Sequence, residues 1–160
     1  MIELHNPSLD EMWFRQRMMN DPPTMAYNHA WGGTIPFPRE KWAAWYGKWI
    51  ARQDENTFYR YICHDGEFVG EAAYHFDAER SIHIADVIVY APHRGKGYGR
   101  EALLRLCDCA RDRGVKALYD DIALDNPAIR LFLRCGFEEA YRTDAYVMVK
   151  KVLADEADSL

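Results

Sequence analysis

A glycine-rich turn between a predicted strand and a predicted helix constrains this chain more than any other stretch. The turn is His93-Arg-Gly-Lys-Gly-Tyr-Gly-Arg100. The β-branched and apolar run Ser81–Tyr90 before it predicts a buried strand. After it, apolar residues recur at helical spacing through Glu101–Arg113, and Gly114 follows as a natural helix end. Because the first N–H groups of a helix lack internal partners, the turn predicts an anion site, for which phosphate is the usual ligand.

Two familiar phosphate-binding loops do not fit the spacing of these glycines. A Walker loop requires Ser or Thr after its Gly-Lys, whereas here Gly97 follows Lys96. A dinucleotide-binding loop requires G-x-G-x-x-G after a strand of a βαβ unit, whereas here the glycines alternate at 95, 97 and 99. A glycine turn that binds no ligand stays open as the plain alternative.

Length, charge and cysteine usage limit the classes of protein that this chain can belong to. Its 160 residues predict one domain. A net charge of −5 disfavours general attraction to nucleic acid, although the turn itself carries basic residues. The four cysteines have no metal-binding spacing and are best explained as free thiols, so we expect no metal. Without a signal sequence or a membrane-length apolar run, we expect a cytoplasmic protein with no membrane partner.

The order of predicted elements is two helices, three antiparallel strands, the glycine turn, a helix, a strand, a short helix and a closing hairpin. Three tryptophans recur at helical spacing in the second helix, and core packing explains them best. The loop before that helix contains Tyr27 and Trp31, which we predict to bind substrate because loop aromatics beside glycines often line pockets. A short strand over 1–4 precedes these elements. The predicted helices are 9–20, 38–49, 101–113 and 128–135, and the other predicted strands are 57–63, 68–76, 81–90, 116–124, 138–143 and 146–152.

The segment Arg94-Gly-Lys-Gly-Tyr-Gly99 after a strand ending Val-Ile-Val-Tyr resembles the R/Q-x-x-G-x-G/A pyrophosphate loop of the GCN5-related N-acetyltransferases. The order of elements resembles this family over residues 1–152. Further local features also match: a hydrophobic residue five positions before the arginine, a hydrophobic residue four before an asparagine, and a Gly-Phe pair after the short helix. These residues are Val89, Ile122, Asn126, Gly136 and Phe137.

The resemblance implies an α/β (α+β) fold with a mixed, mostly antiparallel sheet, flanked by helices on both faces and splayed at the cofactor site. It implies one acetyltransferase domain over 1–152, followed by an acidic tail over 153–160. The implied activity is transfer of the acetyl group of acetyl-CoA to a primary amine of a small molecule or peptide, by direct attack of the amine. A non-catalytic acyl-CoA-binding module is the rival interpretation. The oligomeric state is left open, with a homodimer as one option.

The same resemblance implies which residues hold the cofactor. Backbone N–H groups of the loop would bind the pyrophosphate, and the pantetheine arm would pair with the preceding strand while an asparagine binds it from the other side. The residues at these positions are Ile88, Val89, Arg94, Gly95, Lys96, Gly97, Tyr98, Gly99, Arg100 and Asn126.

The catalytic residues are less clear, because the tyrosine that many family members use as the acid for the thiolate is Phe132 here. Another donor (Tyr141, Tyr146, Cys135 or water) would have to serve, or the thiolate leaves unassisted. Three residues are candidates for the base. Asp121 and His83 match positions where family members carry a glutamate, and Asp86 is an acid among apolar residues whose burial would raise its pKa. A purely structural role stays open for each: Asp86, Asp121 and His83.

Overall fold

The computed structural model describes residues 1–154 as one seven-stranded sheet in the order β1-β2-β3-β4-β5-β7-β6. Neighbouring strands are antiparallel except for the parallel pair β4 and β5. The mixed, mostly antiparallel sheet expected from the sequence is therefore confirmed. The strands are β1 Glu3–His5, β2 Thr57–His64, β3 Glu67–Asp77, β4 Ile82–Val89, β5 Ala117–Ala123, β6 Glu138–Arg142 and β7 Tyr146–Val152.

Helices cover both faces of the sheet, as predicted. The helices are α1 Met12–Met19, α2 Trp42–Trp49, α3 Tyr98–Asp112 and α4 Ala128–Arg134. Apolar residues of α1 and α2 pack on one face, and those of α3 and α4 pack on the other. The segment between α1 and α2, predicted as a loop, contains a 3-10 turn over Ala26–Trp31.

Helix α3 shows how the glycine turn is built. It begins at Tyr98, three residues earlier than predicted, because Gly97 adopts φ +83° and forms the N-cap. The apolar spacing that predicted the helix starts only at Leu103, so the sequence pattern could not detect this first turn. Gly99 and Arg100 therefore lie inside the helix rather than in the loop.

The tryptophans of α2 pack against the sheet, as the sequence interpretation expected. Trp42, Trp45 and Trp49 are partly buried against an apolar cluster that includes residues of α1 and β2. The ring of Trp45 contacts Tyr59 edge-on, with ring centroids 5.1 Å apart. This face of the sheet is therefore an aromatic core rather than an open aromatic pocket.

The sheet parts between β4 and β5, which is the expected splay. These two strands pair only where they begin, at His83 with Leu118 and Ile84 with Tyr119. Beyond these residues β4 continues to Val89 and β5 to Ala123 without a shared ladder.

Leu153, which directly follows β7, is buried, and its carbonyl accepts a hydrogen bond from Arg111 Nε at 2.9 Å. Most of the predicted acidic tail, residues 155–160, lies outside the described residues. None of the helices within residues 1–154 has both the length and the apolar character that crossing a membrane requires.

Candidate functional site

A cavity of about 870 Å³ lies where β4 and β5 separate. Its walls come from these two strands, the 3-10 turn Ala26–Trp31, the loop after β5 and the start of α4. Those walls carry four aspartates, namely Asp86, Asp120, Asp121 and Asp125. A smaller cavity of about 290 Å³ follows the glycine turn and shares Val89, Arg94, Gly95 and Leu131 with the larger one. The two cavities therefore adjoin one another, linking the glycine turn to the parted sheet.

The backbone of Val89 faces the gap in the sheet. Val89 lies opposite Gly70 of β3, and the next residue, Tyr90, donates its N–H to the Val69 carbonyl at 2.8 Å. In an antiparallel ladder this places Val89 at a non-hydrogen-bonded position, so its own N–H and C=O point away from β3. Since β5 has diverged, the Val89 N–H faces the cavity without a hydrogen-bond partner among residues 1–154.

Gly70 fixes the approach of β3 to β4 at this point. A Cβ atom at this residue would overlap the carbonyl oxygen of Ile88. We expect Gly70→Ala to lower the free energy of unfolding by about 1–3 kcal/mol, because β4 would have to shift. Gly47→Ala is the matched control, since the added Cβ meets nothing within 4 Å and lies in α2, where alanine is favoured. Urea unfolding of both variants measures the difference, and equal stabilities would contradict it.

The glycine turn presents N–H groups to the smaller cavity. Gly95 and Gly97 have φ of +79° and +83°, a conformation that glycine adopts without strain. Within residues 1–154, the backbone N–H groups of residues 95–100 have no hydrogen-bond partner. Arg100 and Arg134 line the same cavity. Unpaired donors at a helix N-terminus beside two cations form an anion site that suits a diphosphate.

The backbone N–H of Arg94, predicted to bind the cofactor, donates to the Ala91 carbonyl at 3.1 Å, and the exposed Arg94 side chain bonds to further backbone carbonyls. Its Nε donates to the Val89 carbonyl at 3.2 Å, and its Nη1 and Nη2 donate to the carbonyls of Pro23 and Thr24 at 3.1 and 3.0 Å. The Thr24 hydroxyl in turn accepts the Ala91 N–H at 3.0 Å. Arg94 therefore joins the glycine turn to the segment that leads into the Ala26–Trp31 turn. Lys96 is exposed and lines neither cavity.

Asp86 carries the carboxyl that is best placed for acid–base chemistry. It shares the face of β4 with Ile84 and Ile88, and its side chain is accessible from within the cavity. The surrounding protein, and then the negative charge of Glu71, raise the pKa of Asp86 to about 7, against the lowering effect of Arg15. Burial and the nearby Asp86 also raise the pKa of Asp120 well above its ordinary value.

Arg15 and Glu71 form a buried ion pair near Asp86, because Glu71 lies on β3, the strand next to β4. Arg15 Nη1 donates to both carboxylate oxygens of Glu71, at 3.0 and 2.9 Å, and the Tyr59 hydroxyl donates to the same carboxylate. The Arg15 guanidinium also lies 4.0 Å from the ring centroid of Trp45. This network joins α1, α2 and the sheet next to the cavity, and it places one negative and one positive charge near Asp86.

Asp121, another predicted base, is already paired. Its carboxylate accepts a hydrogen bond from Arg80 Nη1 at 3.1 Å, while Arg80 Nε donates to Asp77 at 2.7 Å. Both Arg80 and Asp121 line the cavity. Because the guanidinium compensates its charge, Asp121 is less suited than Asp86 to accept a proton.

The structure does not bring His83 and Trp31 to the cavity. His83 lies on the opposite face of β4 from Asp86, beside the rings of Phe76 and Tyr74, and its Nε2 is buried without a partner among the described residues. Burial lowers the pKa of His83. Trp31 is 87% exposed on the far end of its turn.

Tyr27, predicted to bind substrate, and Asn126, predicted to bind the cofactor, both line the cavity. Burial, and then the charge of Asp86, raise the pKa of Tyr27, so its hydroxyl stays protonated. Asn126 Oδ1 accepts the Ala128 N–H at 2.9 Å and so helps to begin α4.

A histidine and an aspartate that the sequence reasoning did not select also meet at the cavity. His29 Nε2 lies 2.8 Å from Asp125 Oδ2, although the two residues are 96 positions apart. No local sequence signal could have paired them, because their contact depends on how the Ala26–Trp31 turn crosses the parted sheet.

Comparisons with known proteins agree with this geometry. The family model for the acetyltransferase (GNAT) family matches residues 16–137. An uncharacterised N-acetyltransferase of Methanocaldococcus jannaschii is 28% identical over 125 residues, which are 72% of this chain and 54% of the relative. A streptothricin acetyltransferase of Streptomyces lavendulae is 37% identical over 86 residues, which are 52% of this chain and 45% of the relative. The chain thus spans about half the length of these relatives.

Among solved structures, a putative acetyltransferase of Salmonella typhimurium with its cofactor acetyl-CoA has a similar fold. The TM-score is 0.73 at 24% identity, and the match covers 98% of this chain and 96% of that one. The fold, the parted sheet and the family match over most of the chain give the same answer: this chain belongs to the acetyltransferase (GNAT) family.

Proposed function

We propose that this protein is an N-acetyltransferase that moves the acetyl group of acetyl-CoA to a primary amine of a small molecule or peptide by direct attack. One observation carries the proposal: the parted sheet holds, in one cavity, the unpaired Val89 N–H and the Asp86 carboxyl with a pKa of about 7. The cofactor reported for the Salmonella typhimurium neighbour supports acetyl-CoA as the donor.

The residues present fit coenzyme A along its length. The N–H groups of residues 95–100 would hold the pyrophosphate, with Arg100 and Arg134 beside them. Ile88, Val89 and Asn126 line the adjoining cavity, where the gap between β4 and β5 has room for an extended arm. Bound acetyl-CoA supplies an activated thioester carbonyl.

Two groups of the chain would then assist transfer. The Val89 N–H is a donor for the negative charge that develops on the carbonyl oxygen. The Asp86 carboxylate accepts the proton that the amine nitrogen must lose. Because the pKa of Asp86 is about 7, a large fraction of this base is ionised near neutral pH while it retains useful basicity.

The carboxyl groups of the cavity support a cationic acceptor, because an ammonium ion near them favours their ionised forms. Asp86, Asp120, Asp121 and Asp125 line it, whereas Arg80 compensates Asp121 and Arg94 is occupied by backbone carbonyls. Tyr27 adds an aromatic surface near Asp86. An amine that arrives as an ammonium ion suits this environment. The similarity to streptothricin acetyltransferase also supports a small amine rather than a macromolecule.

The rival function, a non-catalytic acyl-CoA-binding module, is favoured by Phe132, which has no proton to donate. Calorimetry with coenzyme A and thiol release with a panel of primary amines separate the two functions. We expect binding of coenzyme A and turnover of at least one amine, with a rate that rises as the pH passes about 7. Binding without turnover of any amine would favour the module, and no binding would contradict both functions.

A further inference from the structure

The proposed reaction needs a proton donor for the departing thiolate, and Phe132 cannot supply one. Its ring is 2% exposed and packs edge-on against Phe137. The alternative donors suggested by the sequence are not in the cavity. Tyr141 and Tyr146 contact each other on β6 and β7, and the buried Cys135 thiol faces the Arg100 carbonyl at 3.8 Å. The donor must therefore come from another element of the cavity wall, or from water.

His29 is placed to be that donor. The 3-10 turn that carries it follows Thr24, which hydrogen-bonds to Ala91 and Arg94 in the segment after β4. The turn then reaches the loop after β5. There His29 Nε2 lies 2.8 Å from Asp125 Oδ2, and this contact joins the turn to the loop that contains Asn126. His29 thus lines the same cavity as Val89 and Phe132.

The chemistry of this pair suits a proton donor better than the other candidates do. An imidazolium, with an ordinary pKa near 6.5, is a stronger acid than a thiol with a pKa near 8.5, so transfer to a thiolate is downhill. The raised pKa of Tyr27 makes its hydroxyl a weaker acid than the thiol, and burial lowers the pKa of His75, which keeps that imidazole neutral. The contact with Asp125 engages Nε2 of His29 and leaves Nδ1 for the ligand.

We propose that His29, oriented by Asp125, is the acid that protonates the coenzyme A sulphur as the thioester is cleaved. The inference rests on the proposed function. The ammonium ion first releases one proton to solvent. The neutral amine nitrogen then forms its bond to the carbonyl carbon, the carbon–sulphur bond breaks, and its electron pair passes to sulphur. His29 Nδ1–H gives its proton to that sulphur and becomes neutral, while Asp86 takes the proton that the nitrogen loses. Because the His29 side chain is 61% exposed, it recovers a proton from solvent.

Other titratable groups share the cavity with His29 and must be separated from it in any pH experiment. Tyr27 lies on the same turn, and the remaining groups belong to β3, β4, β5 and their connections. They are His75, Arg80, Asp86, Arg94, Asp120, Asp121 and Asp125.

The test uses His29→Gln, which keeps a hydrogen-bond donor for Asp125 but cannot transfer a proton as imidazolium does. The first measurement is the ultraviolet absorbance of the thiolate in bound coenzyme A, followed against pH. If His29 faces the sulphur, its positive charge stabilises the thiolate, so thiolate should appear at lower pH on the wild type than on His29→Gln. His5→Gln is the matched control, since His5 pairs with Glu11 at the same 2.8 Å but lies outside the cavity.

The second measurement is the pH profile of kcat with a reactive amine. We expect His29→Gln to lower kcat at neutral pH by at least tenfold and to remove the decline at high pH that loss of the imidazolium causes. Asp125→Asn should also lower kcat, because the imidazole loses the carboxylate that orients it. Coenzyme A affinity should stay within about threefold in both variants.

Three outcomes would overturn the role of His29: identical thiolate titrations in the wild type and His29→Gln, an unchanged kcat profile, or a loss of kcat that leaves the high-pH decline in place. The last result would indicate that the pair only shapes the cavity. If the wild type turns over no amine while the thiolate titration still responds to His29→Gln, the proposed function fails but the placement of His29 beside the sulphur stands.

Discussion

Replacing Asp86 with asparagine is expected to lower kcat by roughly a hundredfold to ten-thousandfold, which is the usual contribution of a positioned base. The amide keeps the size of the side chain but cannot accept the proton from the amine. In the wild type, kcat/KM should fall as the pH drops below about 7, because protonation of Asp86 removes the base. The low-pH decline should be absent from the residual activity of Asp86→Asn.

Asp121→Asn is the control for this experiment. The variant removes a carboxylate from the same cavity, but one whose charge Arg80 already compensates. We expect it to change kcat much less than Asp86→Asn does. Steady-state kinetics on both variants, with circular dichroism to verify folding, provide the measurement. Equal losses in the two variants, or full activity of Asp86→Asn, would rule out Asp86 as the base.

Asp86→Asn, which should lower activity, should raise the stability of the folded protein at neutral and higher pH. The folded protein holds the Asp86 proton with a pKa of about 7, whereas the unfolded chain releases it near the ordinary value of 3.8. The folded state therefore binds more protons in this interval, so the contribution of Asp86 to stability falls as the pH rises from about 4 to about 7. Asp86→Asn should be more stable than the wild type above pH 7, and thermal unfolding at several pH values tests this.

Replacing Glu71 with alanine should lower the free energy of unfolding by about 3–5 kcal/mol. The variant leaves the Arg15 guanidinium buried without its carboxylate and removes the acceptor of the Tyr59 hydroxyl. Glu139→Ala is the matched control, because it breaks an exposed pair with Arg142 and should cost less than about 1 kcal/mol. Urea unfolding of the two variants measures the difference. A loss at Glu71 no larger than at Glu139 would show that the buried network adds little to stability.

Glu71→Gln provides a milder variant that reports on the site. The Glu71 charge raises the pKa of Asp86, and Arg15 lowers it. Removing only the negative charge should lower the pKa of Asp86, so the low-pH decline of kcat/KM should move to lower pH. A decline that stays in place would show that Glu71 does not tune the base.

Much of the fold could be predicted because local patterns specify it. Alternating and β-branched runs gave β2, β3 and β4, and the Asp65-Gly66 turn between β2 and β3 has the left-handed angles that this dipeptide favours. Boundaries were less predictable where backbone conformation rather than apolar spacing decides them. Gly97 caps α3 before the apolar spacing of that helix starts. The apolar residues of the 3-10 turn Ala26–Trp31 show no regular spacing from which the turn could be predicted.

The candidate site could be predicted only where one stretch of chain forms it. The glycine turn and the strand before it are contiguous, so their placement along one groove follows from the sequence. Pairs such as Arg15 with Glu71, Arg80 with Asp121 and His29 with Asp125 join distant segments. Their contacts depend on how strands and helices pack. This is why the sequence left Asp86, Asp121 and His83 all open as bases, whereas the structure pairs Asp121 with Arg80 and places His83 outside the cavity.

The brief pairing of β4 with β5 has a mechanical consequence. Strands β1–β4 and strands β5–β7 are joined in the sheet by only two residue pairs, those between β4 and β5, and α3 packs against the same face of both groups. An extended molecule that fills the gap would add the missing hydrogen bonds and act as an eighth strand. When the groove is filled, amide exchange should become slower in strands β1–β4 and in strands β5–β7 alike. The ligand would then stabilise the whole sheet.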